Sequence, residues 1–124
     1  MPAEELILSF VEAINRRDPA RIVGLCTEDH QFVDAFGQVV AAENLLSAWT
    51  GYFQFMPHYH IEVERVLCDG DDVALFGHAS GSLDAEDARD RSWRRPCAWR
   101  ARVEGDRVSH WQVYVDTKAV FDLL

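Results

Sequence analysis

Pro96-Cys97-Ala98-Trp99-Arg100-Ala101-Arg102-Val103-Glu104-Gly105-Asp106-Arg107-Val108-Ser109-His110-Trp111-Gln112-Val113-Tyr114-Val115 reads as two long strands folded back on each other. Glu104-Gly105-Asp106 supplies the hairpin turn, because glycine takes the positive φ that such turns need. The outgoing strand begins near Ser92 and runs to Val103; the return covers Val108 to Val115. Side chains alternate between the two faces of a strand. Cys97, Trp99 and Val113 therefore take the inward parity, and Arg100, His110, Gln112 and Tyr114 the outward one.

The same logic extends toward the N-terminus. Tyr59, Ile61 and Val63 alternate with His58, His60, Glu62 and Glu64, a half-buried strand continuing to Leu67. Asp69-Gly70 turns the chain, Val73 to Ser82 forms the next strand, and Leu83 to Arg91 is a charged connection. The first half is helical instead. From Glu4 to Asn15 the residues Leu6, Ile7, Phe10, Val11, Ala13 and Ile14 recur at helical spacing. Asp18-Pro19 is an N-cap followed by proline at the first helical position, opening a short helix from Ala20 to about Cys26. Gln31 to Asp34 is a short strand, ended by Phe36-Gly37. A third helix, Ala42 to Phe55, carries Leu45, Leu46, Trp49 and Phe53 on one face until Pro57 stops it. Asp116 caps a last helix with Val120, Phe121 and Leu124. Helices followed by a strand meander define an α+β domain with its helices on one sheet face.

With 124 residues, 48% hydrophobic and 27% charged, the chain fits one domain spanning 1–124. Its net charge of -9 disfavours nucleic acid and anionic membrane surfaces, which are held by Lys and Arg. Arg89, Arg91, Arg94 and Arg95 crowd together, but Asp84, Glu86, Asp87 and Asp90 neutralise them. The three cysteines, Cys26, Cys68 and Cys97, have neither disulfide-framework nor zinc spacing. The opening Met1-Pro2-Ala3-Glu4-Glu5 lacks the pattern of a secretory signal, so the expected compartment is cytoplasmic.

Four fragments in order carry a family resemblance: Trp49-x-x-Tyr52-Phe53-x-x-x-Pro57-x-Tyr59-x-Ile61, Asp69-Gly70-Asp71-x-Val73-Ala74, Pro96-x-Ala98-Trp99-Arg100-Ala101, and Glu104-Gly105-x-x-Val108-x-x-Trp111-x-Val113-Tyr114-x-Asp116. Together they resemble SnoaL-like proteins of the nuclear transport factor 2-like superfamily. The resemblance implies a cystatin-like cone: a curved antiparallel sheet, N-terminal helices on its concave face, an apolar pocket between them, and dimerisation through the convex face. Steroid isomerases, epoxide hydrolases, polyketide cyclases and non-catalytic members share this fold, so function has to come from the site.

Asp34 is the candidate acid–base, standing between aromatics where the resembled steroid isomerases keep their proton-shuttling aspartate. An acid with few polar neighbours has its charged form disfavoured, which suits proton transfer. The alternative is that Asp34 accepts hydrogen bonds from its own turn. The oxyanion donors of those isomerases are missing: Phe10 and Trp99 occupy their places. The two aspartates and the arginine of the epoxide hydrolases are absent as well, with Cys97, Trp99 and Val113 standing at the corresponding inward positions. Phe10, Phe32, Trp49, Phe53, Trp99, Trp111 and Val113 are the expected ligand contacts. A ligand-sized void matters energetically: at ~24 cal/mol per Å³, ~300 Å³ left empty costs roughly 7 kcal/mol.

His58, His60 and Glu62 share a strand face, but Ile61 and Val63 claim the buried side, so no metal or other cofactor is expected. Phe76, His78, Arg100, His110, Gln112 and Tyr114 mix aromatics with Arg and His on the outer face, a composition suited to a homodimer interface. The expectation is a pocket for a hydrophobic small molecule, with cofactor-independent isomerase, cyclase or dehydratase chemistry at Asp34. The alternatives are a non-catalytic binder of the same molecule and a dimeric module without ligand.

Overall fold

The structure is a computed structural model that describes residues 2–82 and 92–118. Helix α1 is Ala3–Asn15, with Glu4 and Glu5 in its first turn, where negative charge complements the helix dipole. Arg17, at φ 52, turns the chain out of it. Helix α2, Pro19–Gly24, starts as expected, with the Asp18 carboxylate accepting the Arg21 N–H at 3.1 Å. Strands β1 (Cys26–Val33) and β2 (Val39–Ala41) follow, then a 3₁₀ turn, Ala42–Asn44, that leads into helix α3, Leu45–Phe55. The meander is β3 (His60–Asp69), β4 (Asp72–Ser82), β5 (Ser92–Glu104) and β6 (Arg107–Val115).

The six strands lie in the order β2-β1-β6-β5-β4-β3. All neighbours are antiparallel except β1 and β6, which run parallel. Here the structure departs from the sequence reading. The second helix ends at Gly24, and Cys26 to His30 are strand instead of helix end and linker. Those residues show no β alternation; they bridge an irregularity in the ladder with β6, which pairs with Cys26 on one side and Gln31 on the other, and the Val108 N–H donates to the Leu25 carbonyl at 2.8 Å. The short β2 likewise exists through its pairing with Gln31, Phe32 and Val33.

The sheet bends where its ladder is interrupted, at bulges between Val63 and Arg65 and between Arg102 and Val103. Gly77 sits in the first crease: a Cβ there would stand 1.9 Å from the Glu62 carbonyl oxygen. The concave face receives α1, which touches β3, β4, β5 and β6. Phe10, Ile7 and Ile14 are fully buried with Leu75, Ala101 and Trp111 in one core. Asn15 fixes the helix to the sheet, its Nδ2 donating to the Ile61 carbonyl at 2.9 Å and its Oδ1 accepting the Ile61 N–H at 2.7 Å.

The convex face carries Phe76, Ala98 and Tyr114 in one row across three strands. Phe76 and Tyr114 are 43% and 48% exposed. His78 Nδ1 lies 2.6 Å from Glu64 Oε1, and His110 Nε2 lies 3.1 Å from Gln112 Oε1. Asp116 Oδ1 accepts the Lys118 N–H at 3.0 Å, the bond expected of a cap. The charged connection and the last helix expected at Val120, Phe121 and Leu124 lie outside the described residues.

Candidate functional site

Helix α1 covers one end of the concave face, while α3 packs toward α2 and β2. Between α3, the β1–β2 turn and the inner positions of β4, β5 and β6 lies a cavity of about 170 Å³. Phe32 of β1 stacks on Trp49 of α3 at 4.8 Å between ring centres and 7° between planes. Trp49 meets Tyr52 edge-on at 6.4 Å, Tyr52 meets Tyr59 edge-on at 5.0 Å, and Tyr59 leads to Trp93 of β5 at 6.2 Å. These rings form a continuous arc along the wall. Ala79, Cys97, Val113 and Val115 complete it from the sheet, and Phe36 and Phe55, both about half exposed, stand at its solvent side.

Asp34 also lines this cavity, at the start of the turn from β1 to β2. The turn uses it thoroughly. Its N–H donates to the Gln38 carbonyl at 2.9 Å, and its carbonyl accepts the Gly37 N–H at 3.0 Å. Side-chain Oδ1 accepts two more N–H groups, from Phe36 and Gln38, each at 2.9 Å. Gly37, at φ 81, supplies the left-handed residue that closes the loop. Among the described residues no group donates to Oδ2. One carboxylate oxygen therefore belongs to the turn and the other remains an acceptor.

The remaining titratable groups on the wall are held neutral. Burial pushes the Tyr52 hydroxyl up, helped by the nearby Cys97 and the Asp34 charge. Burial likewise holds Tyr59 well above its ordinary value, and Cys97 is pushed up to about 12. Both tyrosines thus keep their protons and remain donors. The Trp99 indole comes close enough to Tyr59 to favour its ionised form slightly, but without hydrogen-bond geometry. No Lys, Arg or His is among the lining residues described.

Of the residues expected at the site, Asp34, Phe32, Trp49 and Val113 meet on the wall. Phe10, Phe53, Trp99 and Trp111 do not line it and pack in the core: Phe10 lies 4.9 Å from Trp111, and Trp99 stacks on Trp111 at 6.4 Å. The reason is the position of α1, whose Phe10 fills the end of the cone that those indoles face. Tyr52, Phe55, Tyr59, Trp93 and Cys97 replace them. The alternation of the third strand placed Tyr59 inside, and Trp93 shares the parity of Cys97; neither signal reveals which end of the sheet stays open. At the outer rim, Glu62 pairs with Arg94 at 3.1 Å, and no metal-binding trio of His, Cys, Asp or Glu occurs among the described residues. No helix among them is long and apolar enough to cross a membrane.

Residues 7–111 match the SnoaL-like domain family. No curated protein matches the chain significantly. Several solved structures are similar. A Catenulispora acidiphila protein of ketosteroid isomerase-like fold, in complex with trimethylamine, superposes with a TM-score of 0.84 at 18% identity, over 96% of this chain and 91% of its own. IdmH of Streptomyces antibioticus, a candidate polyketide cyclase, gives 0.82 at 19%, over 99% and 98%. A nuclear transport factor 2-like protein from Burkholderia thailandensis gives 0.83 at 16%, over 99% and 97%. At these identities the likeness establishes the fold.

Proposed function

The chain belongs to the SnoaL-like domain family, and on that footing we propose that it binds a small hydrophobic molecule in the cavity beside Asp34. The observation that carries this reading is the unbroken aromatic arc from Phe32 to Trp93 around about 170 Å³ of space. Buried apolar volume of that order takes a molecule of roughly six or seven non-hydrogen atoms, as an engineered ~150 Å³ cavity takes benzene. The Catenulispora protein of this fold is in complex with trimethylamine, a molecule of four non-hydrogen atoms, which supports a small ligand. Trp49 and Trp93 lie in the wall, so occupancy changes tryptophan emission. Titration with indole-free small aromatics such as phenol is expected to shift that emission saturably and to raise the melting temperature. A flat titration with unchanged melting would overturn the reading.

One observation favours a second, catalytic reading. Among the described residues none donates to Asp34 Oδ2, and the Asp34 charge is felt at the protonated Tyr52 hydroxyl. Asp34 then moves the proton, and Tyr52 and Tyr59 donate to the developing oxyanion where Phe10 and Trp99 offer nothing suitable. This is proton-transfer chemistry of isomerase, cyclase or dehydratase type. Asp34→Asn keeps an Oδ1 acceptor for the turn and removes the base, so loss of turnover with unchanged folding supports the second reading. Full activity in that variant removes it. The outer row of Phe76, Ala98 and Tyr114, flanked by His78, Arg100, His110 and Gln112, is our proposed homodimer face. Phe76→Asp is expected to lower the sedimentation coefficient to that of a monomer, and an unchanged value would move the interface elsewhere.

A further inference from the structure

Resting on the binding reading above, we infer that the cavity selects a small alkylammonium cation, its methyl groups against the ring faces and its charge toward Asp34. The argument begins with what the wall refuses. Every titratable group described on it is an acid: Asp34, Tyr52, Tyr59 and Cys97. An anionic ligand would meet a carboxylate with no cationic side chain among the described lining residues, an unfavourable arrangement when desolvated; Arg95, opposite Ala79 on β5, is engaged by Asp116 at 3.6 Å.

Neutral and cationic ligands remain, and the wall distinguishes them. Seven of its residues are aromatic: Phe32, Phe36, Trp49, Tyr52, Phe55, Tyr59 and Trp93. Ring faces are electron-rich and attract a cation within about 6 Å, most strongly for tryptophan and most effectively away from water. A neutral apolar guest gains burial alone, which aliphatic side chains would provide equally well. The Asp34 carboxylate adds a second attraction. The Phe36 and Gln38 N–H groups donate to Oδ1 and so orient the Asp34 carboxylate, while among the described residues none donates to Oδ2. A quaternary or tertiary ammonium also suits a wall with few acceptors, since its methyl groups cover the charge and need no hydrogen bonds. The net charge of -9 on the whole chain draws cations toward the mouth.

The test uses two molecules of nearly one shape, choline and 3,3-dimethylbutan-1-ol, which differ by a quaternary nitrogen in place of a carbon. Calorimetric titration of the full chain is expected to show choline binding at least about tenfold more tightly than the alcohol. Asp34→Asn is expected to remove most of that preference, the affinity for choline falling toward that for the alcohol measured on the same variant. Equal or tighter binding of the alcohol to the unmodified chain overturns the cation inference and leaves the cavity reading standing. Failure of both while phenol still binds does the same. Failure of all three overturns the cavity reading itself. The comparison on the unmodified chain decides the matter even if the variant does not fold.

Discussion

Ala79 is 2% exposed on the inner face of β4, yet its methyl group borders empty space because it lines the cavity. That space has an energetic consequence. At about 24 cal/mol per Å³, 170 Å³ of unfilled volume corresponds to a stability loss of roughly 4 kcal/mol. Ala79→Leu adds three carbons to this void. At about 0.8 kcal/mol per buried carbon the gain is roughly 2.4 kcal/mol, less about 1 kcal/mol for ordering the longer side chain, leaving about 1.5 kcal/mol. An unfolding entropy near 2.1 cal/mol/K per residue over 124 residues turns this into a rise in Tm of about 6 °C. The same substitution occupies the space a ligand needs, so choline and phenol binding disappear as stability rises, the usual opposition between filling a site and using it. Urea unfolding followed by tryptophan emission gives the first quantity, and titration calorimetry the second. A loss of about 1 kcal/mol or more would show that no usable void exists beside Ala79. Retained binding would place the ligand elsewhere.

Gly77→Ala drives a methyl group to within 1.9 Å of the Glu62 carbonyl oxygen at the crease of the sheet, where backbone rather than a flexible side chain must yield. A destabilisation of about 3 kcal/mol or more is expected in urea unfolding, and a neutral outcome would mean that the bulge is soft. His30 is 1% exposed, and burial lowers its pKa below the ordinary 6.5, outweighing the close contact of its Nδ1 with the Val108 carbonyl. The unfolded chain therefore binds more protons below 6.5, and this contribution to stability is complete above that value and declines as pH falls toward the lower folded pKa, by up to about 1.4 kcal/mol per unit. His30→Asn is expected to flatten the stability profile just below about pH 6.5; an unchanged slope there would remove His30 as the cause. Cys26 and Cys97 are buried, with thiols pushed up to about 12, whereas Cys68 is exposed. Iodoacetamide near pH ~8 should alkylate Cys68 first by mass spectrometry, since thiolate and access are both required; faster modification of Cys97 would indicate an open cavity.

Much of the fold could be read along the chain because its elements announce themselves locally. The helical spacing from Leu6 to Ile14 has one register that buries Leu6, Ile7, Phe10, Val11 and Ile14 and leaves Leu8 outside, and α1 follows it. Asp69-Gly70 and Glu104-Gly105-Asp106 mark turns whose glycines take φ 62 and 64. Asp34 was legible as a candidate acid–base or, alternatively, as an acceptor for its own turn; Oδ1 serves the turn, and the residue also lines the cavity. What escaped were features that depend on a partner far along the chain. Cys26 to His30 are strand because β6 lies beside them, and Val39–Ala41 because β1 does.

Inward parity likewise separates Trp99 and Trp93 from the outer face without distinguishing them from each other. Trp99 packs in the core against Trp111, which Phe10 covers, while Trp93, six residues earlier on the same strand, lines the cavity. The amino-acid order alone therefore determined which residues face inward, because side-chain alternation and helical periodicity are local properties of the backbone. Where the interior is filled and where it stays hollow was decided only by the tertiary structure, because that depends on how far α1 reaches along a bent sheet.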